Sequence, residues 1–387
     1  MMARVSVVVA LYNLRAFIGE AIDSVLGQTL PHEAVELIVV DDGSTDGGGD
    51  VARAHGARVR CLRQENRGLS AARNAGLAAA GAPFVLFLDA DDRIRPEMLA
   101  TVLATFERQP DVGLVYTGVQ CIDVAGAPLP QHGWPRAEGE VLDRLVVGNL
   151  IHVGAAVARR DAVVAAGGFD ETLASAEDWD LWLRLARAGV RWACVDRALA
   201  EYRIRPSAMH QHPGRMAENC RRALDNVFAT PGLPAAVADR RPLAYQNLHL
   251  RAAADHYRAG DRVAGAREFR AAVAARPMLL TEPDTLAGFC RLLLPMGYQT
   301  GALMAARWRS LGRTLRAAMA AALADPGLAP LRWRAELAYW RTIRPLLHRR
   351  AKAALAGGRR RARLSAANDR LVAFERDDIP TGPRESP

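Results

Sequence analysis

Short apolar runs alternate with helical patterns over the first hundred residues, and this alternation limits the fold more than any other feature of the chain. Four runs have the length and β-branched content of buried strands: residues 5–10, 37–40, 59–62 and 84–88. Three intervening segments have the apolar spacing of helices: residues 14–26, 50–55 and 71–80. This alternation predicts right-handed βαβ units. The expected fold is therefore α/β, with a doubly wound, mostly parallel sheet.

Two acidic clusters follow the second and fourth predicted strands. Their members are Asp41 and Asp42 after the second strand, and Asp89, Asp91 and Asp92 after the fourth. Open α/β sheets bind ligands beyond the carboxyl ends of their strands, which lie along one rim. An Asp-rich turn could explain either cluster alone. Because like charges so close together repel one another, the clusters instead predict a metal ion that carries a phosphorylated substrate at this rim.

A well-marked helix is predicted over residues 175–189, with Gly189 as its C-terminal stop. Ser175 and Asp178 have the spacing of a capping box, in which Ser175 would be the N-cap. The helix dipole favours a carboxylate in the first turn and should lower its pKa. Asp178 is therefore expected to be ionised at neutral pH.

Three regions are expected along the chain: a catalytic α/β domain at 1–215, an all-helical extension at 216–330 and a basic tail at 331–387. The formal net charge is +9. Residues 331–364 hold eleven Arg or Lys and one acid, Glu336, which gives +10 and leaves about −1 (9 − 10) for the remainder. This distribution favours a polyanionic partner for the tail, such as an anionic membrane, and argues against a nucleic-acid-binding body. A solvated, disordered tail is the alternative.

The five cysteines include no closely spaced pair, which argues against a disulfide framework or a zinc site. Since no apolar run reaches the roughly 18 residues of a membrane span, we expect a cytoplasmic protein. It would be either free or in peripheral contact with the inner face of the cell membrane through residues 331–364.

Five segments occur in the order seen in family 2 glycosyltransferases, and the chain resembles that family over about residues 4–205. The segments read VSVVVALYNLRAFIGEAIDSVLGQTL, ELIVVDDGSTDGG, ENRGLSAARNAGLAAA, FVLFLDADD and SAEDWDLWLRL. The resemblance implies a GT-A fold and an inverting enzyme that uses a nucleotide-diphospho-sugar.

The resemblance also implies a metal site at the DXD pattern formed by Asp89 and Asp91. Asp91 would bind Mg²⁺ or Mn²⁺, and Asp89 would contact the ribose, or the metal through water. Asp92 is a weaker candidate that would cap the following turn. Many relatives place a His near the metal where this chain has Arg205, so Arg205 could pair with the diphosphate directly. Two nearby histidines could take that place instead: His210 and His212.

By the same resemblance, four residues would line the nucleotide: Ala10, Tyr12, Asp42 and Arg73. Asp42 would accept a hydrogen bond from the imide N–H of the base, or else only support the turn after its strand. Tyr12 would lie near the base, or else be a half-buried aromatic at a strand end. Arg73 would reach the nucleotide or diphosphate, or else be a surface helix arginine. Ala10 replaces the usual Pro, a change that affects loop stiffness more than chemistry.

The resemblance assigns the general base to Asp178, while Glu177 would orient an acceptor or sugar hydroxyl. His152 falls where relatives line the acceptor side, although a lone His is more often structural. The QxxRW pattern of processive synthases is absent from the sequence. The expected reaction is therefore the addition of one sugar.

These patterns lead to the hypothesis of a metal-assisted inverting glycosyltransferase. It would move one sugar from a UDP- or dTDP-sugar to a hydroxyl of a bacterial surface-glycan or lipid-linked acceptor. Two alternatives stay open. A nucleotidyltransferase would bind nucleotides on a related sheet but usually has a Gly-rich N-terminal loop, which VVVALYNLRAF lacks. A non-catalytic sugar-nucleotide-binding scaffold would use the helical extension to recruit partners.

Overall fold

A computed structural model of the chain describes residues 3–129, 134–205, 213–292, 314–320, 322–339, 343–344 and 348–349. The chain divides into two compact units, Met1–Arg276 and Pro277–Pro387. The first unit contains a sheet with helices, and the described part of the second unit is helical. His210, His212 and the tail after residue 349 lie outside the described residues.

One mixed sheet of eight strands forms the framework of the first unit. The strands are β1 (Val5–Leu11), β2 (Val35–Asp41), β3 (Arg60–Arg63), β4 (Phe84–Asp89), β5 (Arg93–Ile94), β6 (Val112–Ile122), β7 (Ala156–Arg159) and β8 (Arg191–Arg203). Their order is β3-β2-β1-β4-β7-β6-β8-β5. The first four pair in parallel, as do β6 and β8, while β7 and β5 pair antiparallel to their neighbours. The predicted α/β class with a mostly parallel sheet is confirmed.

Helices cover the sheet and continue beyond it. In the first unit they are α1 (Arg15–Leu26), α2 (Gly48–Arg53), α3 (Leu69–Ala79), α4 (Met98–Arg108), α5 (Leu142–Leu145), α6 (Arg160–Ala165), α7 (Glu177–Arg187), α8 (Pro213–Phe228), α9 (Ala235–Ala238), α10 (Arg241–Arg258) and α11 (Arg262–Ala275). The second unit contains α12 (Pro283–Leu292), α13 (Arg332–Ala338) and a helical stretch at 314–320. No helix of the described residues has both the length and the apolar character needed to cross a bilayer.

Successive residues of the fully buried strand β1 face two separate cores. Val7 and Val9 pack in one core with apolar side chains of α1 and α4. Val8 packs in the other core, which contains Trp182 of α7 and Leu224 of α8. Helix α8 is therefore part of the first unit, together with the hairpin formed by α10 and α11. The region limits predicted at 215 and 330 stay a prediction.

The register of the central strands brings their polar ends to one rim. Ala10 in β1 lies opposite both Val40 in β2 and Asp89 in β4. Asp41 and Asp42 consequently follow one and two residues beyond the level of Asp89, at the same rim of the sheet. This alignment follows from the parallel pairing that the sequence predicts for these three strands.

Candidate active site

Asp42 lies in the turn after β2 and is almost completely buried. Its carboxylate accepts hydrogen bonds from the backbone N–H groups of Arg67 (2.9 Å) and Gly68 (2.8 Å) and from the side chain of Gln64 (2.7 Å). These bonds fasten the loop before α3 to the end of β2. The carboxylate can accept about four hydrogen bonds, so a base N–H could still be accommodated. Contact with the base stays a prediction.

The neighbouring Asp41 performs the turn-supporting role that had been the alternative for Asp42. Its Oδ1 accepts from the backbone N–H of Ser44 at 2.8 Å, and its Oδ2 accepts from Arg63 at 2.7 Å. Asn13 then joins this turn to the end of β1, because its Oδ1 accepts from the backbone N–H of Thr45 at 2.9 Å. The two turns after β1 and β2 therefore form one connected edge of the site.

Tyr12 and Ala10 stand at this edge with different exposures. Tyr12 is 48% exposed, so its ring is available to a ligand, whereas Ala10 is 7% exposed within β1. Asn13, directly after Tyr12, has a left-handed φ of 51°. That conformation turns the chain sharply at the rim. The nucleotide contacts assigned to Ala10 and Tyr12 stay predictions.

Arg73 in α3 is only 2% exposed, so the alternative of a surface arginine is wrong. Its Nη2 donates to Asp89 at 2.6 Å and its Nη1 donates to Glu177 at 2.7 Å. The guanidinium also lies 5.1 Å from the centre of the Phe169 ring. Both carboxylates increase the stability of the charged form and raise the pKa of Arg73. Arg73 therefore connects the end of β4 to the start of α7, and its contact with the nucleotide stays a prediction.

Asp91 is paired with Arg205. Nε of Arg205 donates to Oδ2 of Asp91 at 2.5 Å, and the guanidinium lies 5.6 Å from the centre of the Phe17 ring. Burial and the negative charge of Asp89 raise the pKa of Asp91, and the charge of Arg205 opposes this rise. The residue assigned to the metal by resemblance is thus already held by an arginine. Its role as a metal ligand stays a prediction.

Asp89, Asp92 and His152 form a group whose potential ligand atoms lie within 4.8 Å of one another. Nε2 of His152 is 3.4 Å from Oδ2 of Asp92 and 4.0 Å from Oδ2 of Asp89. Oδ2 of Asp92 is buried and accepts no hydrogen bond from any described residue. Burial, then the charges of Asp89 and Asp91, raise the pKa of Asp92 well above its usual value. An unsatisfied buried carboxylate oxygen beside a second carboxylate fits a cation or a proton.

The hydrogen bonding of His152 determines its role in this group. Its Nδ1 accepts from the backbone N–H of Gly154 at 3.1 Å, so the ring proton lies on Nε2. Burial lowers the pKa of His152, which keeps the ring neutral. In this tautomer Nε2 carries the proton and does not coordinate a metal, and it lies near Asp92 and Asp89 without a hydrogen bond to either carboxylate. The carboxylate oxygens are then the atoms that fit a hard divalent cation.

Arg203, at the end of β8, is buried in the site and had not been identified from the sequence. Its backbone N–H donates to Asp92 at 2.9 Å, and its Nε donates to the backbone oxygen of Asp91 at 2.8 Å. Its Nη2 also binds Glu20 of α1 at 2.7 Å. Arg203 therefore fixes the turn that carries the aspartates.

The predicted capping box at the start of α7 is wrong. The helix begins at Glu177, its N-cap is Ala176 with a left-handed φ of 58°, and no described side chain caps it. The Ser175 hydroxyl instead binds the side-chain amide of Asn219 in α8 at 3.0 Å. When the side-chain oxygen of Asn219 faces the turn before α7, it also accepts hydrogen bonds from the backbone N–H groups of Ala174 (3.2 Å) and Ser175 (3.1 Å). Tertiary contacts therefore shape this turn.

Asp178 lies in the first turn of α7 next to the Arg73 bridge. Its carboxylate accepts from the backbone N–H of Trp179 at 2.7 Å and from Nδ2 of Asn149 at 3.0 Å. Burial, and then the charge of Glu177, raise the pKa of Asp178 to about 7, although Arg73 and both hydrogen bonds oppose the rise. The expectation of a lowered pKa is thus wrong, because desolvation outweighs the helix dipole. Glu177 is occupied by Arg73, and its contact with a substrate hydroxyl stays a prediction.

Residues 6–163 match the family model described as glycosyl transferase family 2. Residues 6–163 belong to glycosyltransferase family 2. The predicted family and enzyme class are confirmed.

Relatives of this family 2 glycosyltransferase include the uncharacterized glycosyltransferase EpsJ of Bacillus subtilis, which is 32% identical over 229 residues. The match covers 56% of this chain and 66% of EpsJ. Chondroitin synthase of Escherichia coli is 29% identical over 203 residues, which are 50% of this chain and 29% of that protein. The chain therefore spans less than the full length of both relatives, and their activities do not transfer to it directly.

A solved structure, that of TarS residues 1–349 from S. aureus in complex with UDP-GlcNAc, has a TM-score of 0.54 with this chain at 20% identity. The superposition covers 83% of this chain and 88% of the TarS chain. The likeness shows a shared GT-A fold, as predicted.

Proposed function

We propose that the chain is an inverting glycosyltransferase that transfers one sugar from a UDP- or dTDP-sugar to a hydroxyl group. The observation that carries the proposal is the buried bridge made by Arg73. It joins Asp89, on the side expected for the donor, to Glu177, which directly precedes Asp178. This buried contact thus connects the expected diphosphate site at Asp89 to the helix turn that carries the expected general base, Asp178. Sugar transfer requires both groups to be held in fixed positions.

Inverting transfer is an in-line displacement at the anomeric carbon of the sugar. The acceptor oxygen forms a bond to this carbon while the bond to the diphosphate oxygen breaks, and the diphosphate leaves with the electron pair. Asp178 would take the proton of the acceptor hydroxyl through its carboxylate oxygen. A pKa of about 7 suits this role, because such a carboxylate is substantially ionised at neutral pH yet basic enough to accept a proton.

The aspartates after β4 would hold Mg²⁺ or Mn²⁺. A divalent cation there would neutralise charge on the leaving diphosphate. Asp89 and Asp92 supply adjacent carboxylate oxygens, and Asp91 would add a third after separating from Arg205. The ring of His152 would face these carboxylates with its Nε2 proton, and Arg203 would fix the backbone of the same turn.

The substrates are proposed from the relatives. The TarS complex contains UDP-GlcNAc, which supports a UDP-sugar donor here. Chondroitin synthase and the hyaluronan synthase of Pasteurella multocida are bacterial enzymes named for polysaccharides, which supports a glycan or lipid-linked acceptor. The basic segment 331–364 would bring the enzyme to the cytoplasmic face of an anionic membrane.

A thermal-shift screen of sugar nucleotides with and without Mn²⁺ tests the proposal. We expect UDP- or dTDP-sugars to raise the melting temperature, and Mn²⁺ to enlarge the effect. Asp42→Asn should weaken this stabilisation, because the amide would present an N–H group to the base N–H. Asp196→Asn, at an exposed ion pair with Arg136, is the control and should respond as the wild type does. Failure of every nucleotide to stabilise the wild type would contradict the proposal.

The pH dependence of transfer should report the raised pKa of Asp178. We expect kcat/KM to rise with pH to a plateau, with its midpoint near 7, because the carboxyl is protonated and inactive at lower pH. Glu177→Gln removes a charge that raises this pKa, so the midpoint should move down. Asn149→Ala removes a hydrogen bond that lowers it, so the midpoint should move up. Shifts of both variants in one direction would show that another group titrates.

A further inference from the structure

We propose that the guanidinium of Arg205 competes with the divalent metal for Asp91. The diphosphate of the nucleotide would attract this guanidinium away from Asp91. This inference rests on the proposed function for its nucleotide step and concerns how the metal enters that site. It makes metal and nucleotide binding interdependent.

The first argument is the contact between Arg205 and Asp91. The two side chains are only 20% and 13% exposed, and Nε of Arg205 donates directly to Oδ2 of Asp91. A metal ion that used this oxygen would lie within a few ångströms of a guanidinium, and the two positive charges would repel strongly in so buried a place. Arg205 and the metal therefore compete for Oδ2 of Asp91, and binding of one there weakens binding of the other.

The second argument is that Arg205 is less firmly held than its neighbour Arg203. Both guanidiniums lie beside the Phe17 ring, at 5.0 Å for Arg203 and 5.6 Å for Arg205. Arg203 is fully buried and binds Glu20 and several backbone oxygens. Within the described part of the chain, Arg205 makes one hydrogen bond, through Nε, and its two Nη nitrogens make none. Its Nη edge thus remains for a phosphate group, which guanidinium binds in a bidentate manner.

The third argument is the number of ligands left when Arg205 stays in place. Asp89 and Asp92 then provide the adjacent carboxylate oxygens, and Asp89 is also paired with Arg73. Mg²⁺ prefers six oxygen ligands in near-octahedral geometry, with several of them water or phosphate. Two carboxylates beside two arginines should bind it weakly. A diphosphate would supply oxygen ligands, attract Arg205 and free Asp91 in one event.

Interdependence must be reciprocal. If the nucleotide strengthens metal binding by a given factor, the metal strengthens nucleotide binding by the same factor. Replacement of Arg205 by an uncharged residue should therefore have two effects. The metal should bind more tightly without nucleotide, and the further gain upon adding nucleotide should become smaller.

Direct measurement of Mn²⁺ binding by electron paramagnetic resonance of the free ion tests this on the full chain without any assay of transfer. Arg205→Gln should bind Mn²⁺ about tenfold more tightly than the wild type in the absence of nucleotide, the size of one charge pair at a partly buried site. Arg205→Lys keeps the positive charge and should remain close to the wild type. Arg197→Gln is the matched control, because Arg197 lies in β8 and pairs with Glu97 in an exposed ion pair.

Three results would overturn the inference. One is an Arg205→Gln variant that binds Mn²⁺ no more tightly than the wild type. Another is an Arg205→Lys variant that gains as much as Arg205→Gln. The third is a gain that survives in the double variant Asp91→Asn/Arg205→Gln, since the freed carboxylate would then not be its cause. Melting curves of each variant establish that it is folded.

Addition of UDP separates this inference from the proposed function. We expect UDP to tighten Mn²⁺ binding in the wild type and to do so by a smaller factor in Arg205→Gln. If neither UDP nor dTDP binds the wild type, the proposed function is contradicted, while the measurements without nucleotide still decide whether Arg205 competes with the metal. If UDP binds and its effect on Mn²⁺ is the same in both proteins, the release step is wrong.

Discussion

Asp178→Asn is expected to reduce the turnover number for sugar transfer by roughly 10²–10⁴-fold, the usual contribution of a positioned general base. The amide has the same shape but cannot take the proton of an acceptor hydroxyl. It can still accept a hydrogen bond from the N–H of Trp179, so the turn at the start of α7 should persist. Donor affinity, measured by isothermal titration with UDP-sugar, should stay within about threefold because the donor site lies across the Arg73 bridge.

Asp161→Asn provides a matched control for this substitution. Asp161 lies in the first turn of α6 and accepts from the N–H of the following residue, Ala162, at 2.8 Å, much as Asp178 accepts from Trp179. It is exposed and has no contact with the aspartates of the site among the described residues. Asp161→Asn should therefore transfer sugar at the wild-type rate. A transfer rate above a tenth of the wild type in Asp178→Asn would exclude Asp178 as the base.

Arg73→Met is expected to lower the free energy of unfolding by about 3–5 kcal/mol, the range seen when one partner of a buried ion pair is removed. The variant leaves Asp89 and Glu177 without their shared cation. Methionine approximates the length of the side chain, so a packing defect should contribute little. Urea unfolding monitored by circular dichroism measures the change.

Arg67→Met is the control for the loss of an arginine. Arg67 is largely exposed and pairs with Glu171 at 3.1 Å, so its removal should cost less than about 1 kcal/mol. The double variant Arg73→Met/Glu177→Gln should recover part of the lost stability, since one of the two unpaired charges is gone. A loss below 1 kcal/mol in Arg73→Met would show that the bridge contributes little to folding.

The central strands and their acidic ends could be predicted from the sequence because both depend on local pattern. β-branched runs of similar length define β1, β2 and β4, and parallel pairing places Asp42 and Asp89 at one rim. The strands of the other half of the sheet were harder to predict. The long strand β8 carries charged residues along its length, which divide its apolar residues into short runs.

The contacts within the site could not be predicted, because they join residues that are distant in sequence. Arg73 meets Glu177 across 104 positions, and Arg205 meets Asp91 across 114. No spacing rule connects such pairs. Burial of Arg73 and the raised pKa of Asp178 depend on these contacts in the same way. The predicted capping box failed for a related reason. Ser175 and Asp178 have the spacing of a capping box, but the Ser175 hydroxyl binds Asn219 of α8 and does not cap α7.

The hydrogen bond between Asn219 and the turn before α7 has a consequence for recombination between related enzymes. The region that matches the family model ends at residue 163, yet Ser175 in the turn before Asp178 is bound by Asn219 of α8, 44 positions further along the chain. Consider a chimera with its first 205 residues from this chain and its later helices from a relative. It would contain Asp178 but would lack the Asn219 side chain that holds the preceding turn. Natural or engineered recombination should therefore give an active enzyme only when α8 and residues 1–205 come from the same parent.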